Sequence, residues 1–157
     1  MRRKDRELTD PADLLYVLEN ADVCRLALSD GNVPYLVTMN FGLKHEKNLV
    51  LYFHCAPDGR KIDILKRNNL ACFGADVDHE LFLSENGTSC GCSMKFKSVV
   101  GMGRVSFVTE RAEKQEALEA IMRHYTQMTT PVFEEEKINR TTILKLDVEQ
   151  MSGKIRP

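Results

Sequence analysis

The chain has 157 residues, 43% of them hydrophobic and 29% charged, with a formal net charge of -1. That length and apolar content suit one soluble domain with a core of its own. The charge balance gives no ground for nucleic acid or an anionic membrane as partner, and no apolar run reaches transmembrane length.

The basic start, Arg2, Arg3, Lys4 and Arg6, is followed by no apolar signal segment, and residues 1–8 are read as a flexible tail. The five cysteines are odd in number and unpaired by spacing, which points to thiols in a reducing cytoplasm. Asp10-Pro11 opens a helix: Asp10 caps it, Pro11 suits the first helical position, and Leu14, Leu15 and Leu18 give it one apolar face ending near Asn20. Val23 to Leu28 reads as a strand, Asp30-Gly31 as a hairpin turn, and Val33 to Phe41 as a second strand. A polar turn, Lys44 to Asn48, leads to a third.

The third strand opens the stretch that organises the chain, Asn48 to Arg67, NLVLYFHCAPDGRKIDILKR. Leu49 to Phe53 is an apolar run of strand length; His54 to Gly59 is a polar loop; helical spacing resumes at Ile62 and Leu65. Arg60 and Lys61 fall at the helix start. Free N–H groups and the macrodipole make that end positive, so two cations there favour an anion such as phosphate; the plainer alternative is a solvated basic turn. Strand alternation puts Phe53 in the core and turns His54 outward beside this loop.

Leu70 to Val77 reads as a fourth strand. Asp78 to Met94, with the turn signal Glu85-Asn86-Gly87 and the pair Cys90 and Cys92, reads as an irregular excursion or a lid. Phe96 to Val108 is a long fifth strand whose Gly101 and Gly103 mark a bulge or a close backbone approach. Glu113 to Tyr125 is an amphipathic helix, 126–139 a polar loop, and Thr141 to Val148 a last strand. Antiparallel strands joined by short turns, with helices inserted between them, suggest a small barrel with helices packed outside. Cys90 and Cys92 with His79 lack the spacing of a zinc site, and no metal is expected. Gly101-Met102-Gly103 lies inside a strand and so is not a dinucleotide fingerprint.

Three segments then carry a resemblance: PYLVTMNFG (Pro34–Gly42), LYFHCAPDGRKIDILKRN (Leu51–Asn68) and FKSVVGMGRV (Phe96–Val105). In order and spacing they resemble the flavin-binding split barrels, a group similar to pyridoxamine-phosphate oxidases, and within it the nitroimidazole-resistance-type branch. The resemblance runs from about Thr9 to Lys154. It implies a mainly β, six-stranded antiparallel split barrel with peripheral helices, forming a homodimer with FMN (FAD being the other flavin considered) in clefts at the interface. Carried over by position, Arg60 and Lys61 would hold the flavin phosphate, while Val37, Thr38, Met39 and Asn40 would line the ring and ribityl chain. Phe53 and His54 of the middle motif, with Lys97, Ser98 and Val99, would face the same cofactor. His54 matches a histidine near flavin and substrate, and is the candidate catalytic residue.

This chain departs from the branch at Cys55, where glycine is usual, and at Asn69, where proline is usual. The implied function is a flavin-dependent oxidoreductase that reduces small nitroaromatic or similar electron-poor acceptors. The rivals are a non-catalytic flavin-binding or redox-sensing module, a pyridoxamine-phosphate-oxidase-like oxidase, for which no second basic cluster is found, and a haem binder.

Overall fold

A computed structural model describes residues 3–85, 87–126, 128 and 130–157. Burial alternates along Cys24–Asp30 (β2), along Leu70–Phe82 (β6) as far as Val77 and along Ser93–Val108 (β7) from Val99, as strands covered on one face demand, whereas Leu49–Cys55 (β5) buries Leu51, Tyr52 and Phe53 in succession between the main core and a second cluster that holds Ala117, Ala120 and Ile121. With Glu7–Leu8 (β1), Val33–Met39 (β3), Gly42–His45 (β4) and Thr142–Arg156 (β8) they form one antiparallel sheet among the described residues. The order is β3-β2-β6-β7-β8-β5-β4, with β1 paired to β8. The sheet curls around a core that includes Leu26, Phe41, Leu51, Phe53, Phe73, Leu144 and Leu146.

Among the described residues four α-helices flank it: Pro11–Asn20 (α1), Arg60–Arg67 (α2), Arg111–Tyr125 (α3) and Glu135–Arg140 (α4). The Asp10 carboxylate accepts a hydrogen bond from Ala12 N–H at 2.9 Å, the expected N-cap. Helix α3 lies directly on β4, because a Cβ at Gly42 would strike the backbone of Ala120 and Ile121. The expected bulge also forms. The β7–β8 register shifts between Met102 and Gly103, where a Cβ would meet the Asp147 carbonyl.

The open antiparallel sheet is consistent with the expected split barrel with peripheral helices, but it has eight strands among the described residues where six were expected. The second strand ends at Met39, and part of the supposed turn is β4, a strand too short to show a period and formed only because it pairs with Leu49–Tyr52. The irregular excursion is largely a hairpin arm. Strand β6 runs on to Phe82 and β7 starts at Ser93, with a 3-10 turn at Ser89–Gly91 between them. Its apolar residues Leu81, Phe82, Leu83 and Met94 are exposed, so it lacks the one-sided burial that makes a strand legible. Helix α4 lies in the expected loop, and β8 continues to Arg156, well past Val148. Of the supposed tail, Glu7 and Leu8 pair with Lys154 and Gly153, and Leu8 is buried. Arg2, and Asn86 of the turn signal, fall outside the described residues.

Candidate functional site

Strands β3 and β4 are the two ends of the sheet order yet are consecutive in sequence, so Asn40 and Phe41 bridge the split. Gly42 pairs with Tyr52, which brings this bridge beside the end of β5. There Val37, Thr38, Met39, Asn40, His54, Cys55, Ala56 and Lys61 line one open depression of about 400 Å³. Its wall therefore joins the first and second of the three resemblance segments.

Each lining side chain has a local cause. Phe53 is 0% exposed and packs on Phe41 at a ring-centroid distance of 6.4 Å, so the next residue, His54, must face outward. Val37 lies cross-strand from buried Leu26 and leans on the core, whereas Thr38 is exposed. Burial pushes the Cys55 thiol up, opposed by the Lys61 ammonium, so Cys55 stays protonated near neutrality and is a poor nucleophile. Lys61 projects from the first turn of α2, whose N-cap Gly59, at φ 113°, makes no side-chain capping bond. An eight-residue helix thus presents its positive end and an ammonium to one side of the depression.

The bridge itself is clamped from the far end of α3. The Tyr125 hydroxyl accepts the Phe41 N–H at 3.1 Å and donates to the Asp22 carbonyl at 2.8 Å. His124 packs its ring against Phe41 at a centroid distance of 4.5 Å, tilted by 47°, and bonds the Ala21 carbonyl at 2.8 Å. These contacts span 84 and 103 residues of sequence. No local motif announces them, and the sequence reading missed both residues.

Other residues expected at the site lie elsewhere in the single chain. Arg60 is half-exposed beside the depression, with its guanidinium 4.9 Å over the Tyr35 ring and 3.6 Å from Asp30. Phe53 supports the wall from the core and does not line it. Lys97, Ser98 and Val99 belong to β7, three places from β3 in the sheet. Lys97 pairs with Asp78 at 3.0 Å and covers the Tyr16 ring; the Val99 side chain is buried, leaving its backbone as its means of contact. Cys90 and Cys92 are exposed on the hairpin arm, and the His79 Nε2 is 2.8 Å from Asp76. Among the described residues no helix is long and apolar enough to cross a membrane.

A family model described as pyridoxamine 5'-phosphate oxidase matches residues 10–155. No curated protein matches the chain in sequence. Among solved structures, the chain is similar to a protein from Bacteroides thetaiotaomicron described as a putative 5-nitroimidazole antibiotic resistance protein. They share 33% identity over 95% of this chain and 86% of that one, with a TM-score of 0.83. The flavocytochrome Anf3 from Azotobacter vinelandii has a TM-score of 0.82 at 18% identity, covering 100% of this chain and 72% of that one. An FAD and heme binding protein from Mycobacterium smegmatis has a TM-score of 0.79 at 15% identity, covering 96% and 73%. At those two identities the likeness is one of fold.

Proposed function

The chain belongs to the pyridoxamine 5'-phosphate oxidase family of flavin-binding split barrels, and on that premise we propose that it is an FMN-dependent oxidoreductase acting on small nitroaromatic or similar electron-poor acceptors. The observation that carries this reading is the depression. It gathers Val37–Asn40, His54 and Lys61, drawn from β3 and the bridge after it, β5 and α2, around one volume. The donor set fits a flavin monophosphate. Lys61, the first-turn amides of α2 and, after leaving Asp30, Arg60 would take the phosphate. The wall from Val37 to Asn40 would take the ring and ribityl chain.

When bound, the flavin supplies the electron chemistry; the chain binds, orients and handles protons. His54 faces out of β5 into the depression, where its imidazole would hydrogen-bond an acceptor or donate a proton to it. Cys55, held as a neutral thiol, adds bulk where the related branch has glycine and so narrows the acceptor's space. The 33% identical structure described as a nitroimidazole resistance protein supports the choice of acceptor class.

A homodimer completes the reading. Lys97, Ser98 and Val99 do not line the depression of their own chain, and β7 carries exposed Val100 beside Cys72 and Met102 on an outer sheet face. A second copy on that face would cover it and would carry β7 residues to the first copy's cofactor. The deciding experiment is the absorption spectrum of the purified protein, followed by mass analysis of the released cofactor and turnover of the reduced protein with a panel of nitro compounds. FMN release with turnover is expected. A Soret band, or bound flavin with no acceptor reduced, would overturn the reading in favour of a haem protein or a binding module.

A further inference from the structure

Strand β6 contains one residue too many. Val77 pairs with Lys97 but Glu80 pairs with Lys95, so three steps on β6 match two on β7. The extra residue is Asp78, whose φ of 58° is the only positive value at a non-glycine among the described residues. The Lys97 ammonium at 3.0 Å and the Tyr16 hydroxyl at 3.3 Å hold its carboxylate.

The consequence is a change of parity. Residues 76 and 79 of a regular strand point to opposite faces. Past the bulge His79 returns to the face of Asp76, and its Nε2 lies 2.8 Å from Asp76 Oδ2 while Arg25 bonds Oδ1. The backbone is thus distorted at a residue that dislikes the conformation, and the outcome is an imidazole oriented by a carboxylate that is itself oriented by a guanidinium. The chain borders a polar recess of about 430 Å³, lined also by Tyr16, Asn20 and Asp22.

This recess adjoins the depression. Arg25, which lines the recess, is the cross-strand partner of Thr38, which lines the depression, so the two cavities meet across neighbouring side chains on one face of the β2–β3 ladder. We propose that the recess is the acceptor-binding end of the flavin cleft, with the His79 imidazole presented to the acceptor and Asp76 as its positioning residue. The inference rests on the flavin reading above and assigns a second histidine to it.

The charges set the ligand class. Asp22, Asp76 and Asp78 outnumber Arg25 and Lys97, and both cations already face a carboxylate. The recess therefore disfavours an anion and admits a neutral or cationic aromatic heterocycle, whose ring nitrogen or nitro oxygen would meet the imidazole.

The test uses the FMN-loaded protein with oxidised flavin, so that nothing turns over. 2-Methyl-5-nitroimidazole is titrated against protein carrying 13C-labelled histidine, with 4-nitrobenzoate as the anionic counterpart. The His79 ring resonance, assigned by its loss in His79→Ala, should move on titration. His79→Ala should raise the Kd of the neutral compound about tenfold, as loss of one well-made hydrogen bond does. Asp76→Asn should raise it less, and nitrobenzoate should bind more weakly than the heterocycle. A stationary His79 resonance, an unchanged Kd in His79→Ala, or nitrobenzoate held as tightly would overturn the assignment. Flavin retention is read separately from visible absorption. If the protein fails to load FMN, the flavin reading fails by itself, and the same titration of the protein as purified still decides the role of His79.

Discussion

The phosphate assignment can be tested one cation at a time. Lys61 lines the depression and has no ion-pair partner closer than 4 Å among the described residues, so its ammonium is available to a ligand. A charge-assisted hydrogen bond contributes about 1.5–3 kcal/mol, so Lys61→Ala should weaken FMN binding by about tenfold to a hundredfold. Arg60 starts from competing contacts, Asp30 at 3.6 Å and the Tyr35 ring at 4.9 Å. Each is exposed and costs about 0.5–1 kcal/mol to give up, and Asp30 keeps Arg67 at 2.6 Å when Arg60 leaves. Arg60→Ala should therefore cost less than Lys61→Ala, and the double variant at least tenfold. Riboflavin, which lacks the phosphate, supplies the control: its affinity should be nearly the same in all four proteins. Flavin-fluorescence titrations of FMN and riboflavin measure both series. Undiminished FMN retention in the double variant, or equal losses for riboflavin, would refute the reasoning.

His54→Ala should leave flavin affinity nearly intact and slow reoxidation of the reduced flavin by a nitroaromatic roughly a hundredfold, measured by stopped-flow absorbance; a change in affinity alone would make His54 a cofactor ligand. Burial pushes the Cys24 thiol from its usual 9 up to about 12. The unfolded chain therefore loses that proton first, and stability should fall as pH rises from about 9 toward 12, with slope set by linkage. Urea titrations of wild type and Cys24→Ala across that window check it, and a parallel pH dependence in the two would count against the buried thiol. Flavin binding and dimer stability should be linked, because a ligand held only by the dimer stabilises it by mass action. Sedimentation with and without FMN measures this, and a tightly loaded monomer would contradict the interface site.

The parts of the site that were legible from sequence share one property: they lie on regular elements whose neighbours in sequence set their direction. Phe53 and His54 follow strand alternation, and Arg60 and Lys61 follow from a helix start that an eight-residue amphipathic pattern makes visible. What was missed depends on pairing at a distance. Strand β4 exists because β5 pairs with it, and β8 past Val148 exists because β7 is long enough to match it. The direction of His79 was not legible, because the bulge at Asp78 breaks the alternation on which any reading of direction relies. Tyr125 reads as one more residue of a helix end, and only the fold brings it to Phe41.

The place of the depression follows from the way the sheet fails to close. A closed barrel satisfies every strand edge, whereas an open one leaves two edges with N–H and C=O groups to be met by something else. Here β3 is one end of the sheet order, and β4 covers β5 only as far as Tyr52, so Phe53 to Cys55 have no β4 partner in the ladder. Both open edges meet at Asn40 and Phe41, where the α3 clamp fixes the backbone rather than any side chain that would touch a ligand. A flat ligand with hydrogen-bonding groups along its rim suits such a gap better than a globular one does, since main-chain groups lie along both margins. Those backbone groups are the same for any residue type. The cations and the histidine were therefore visible in the sequence, whereas the wall between Val37 and Asn40 could be placed only by resemblance.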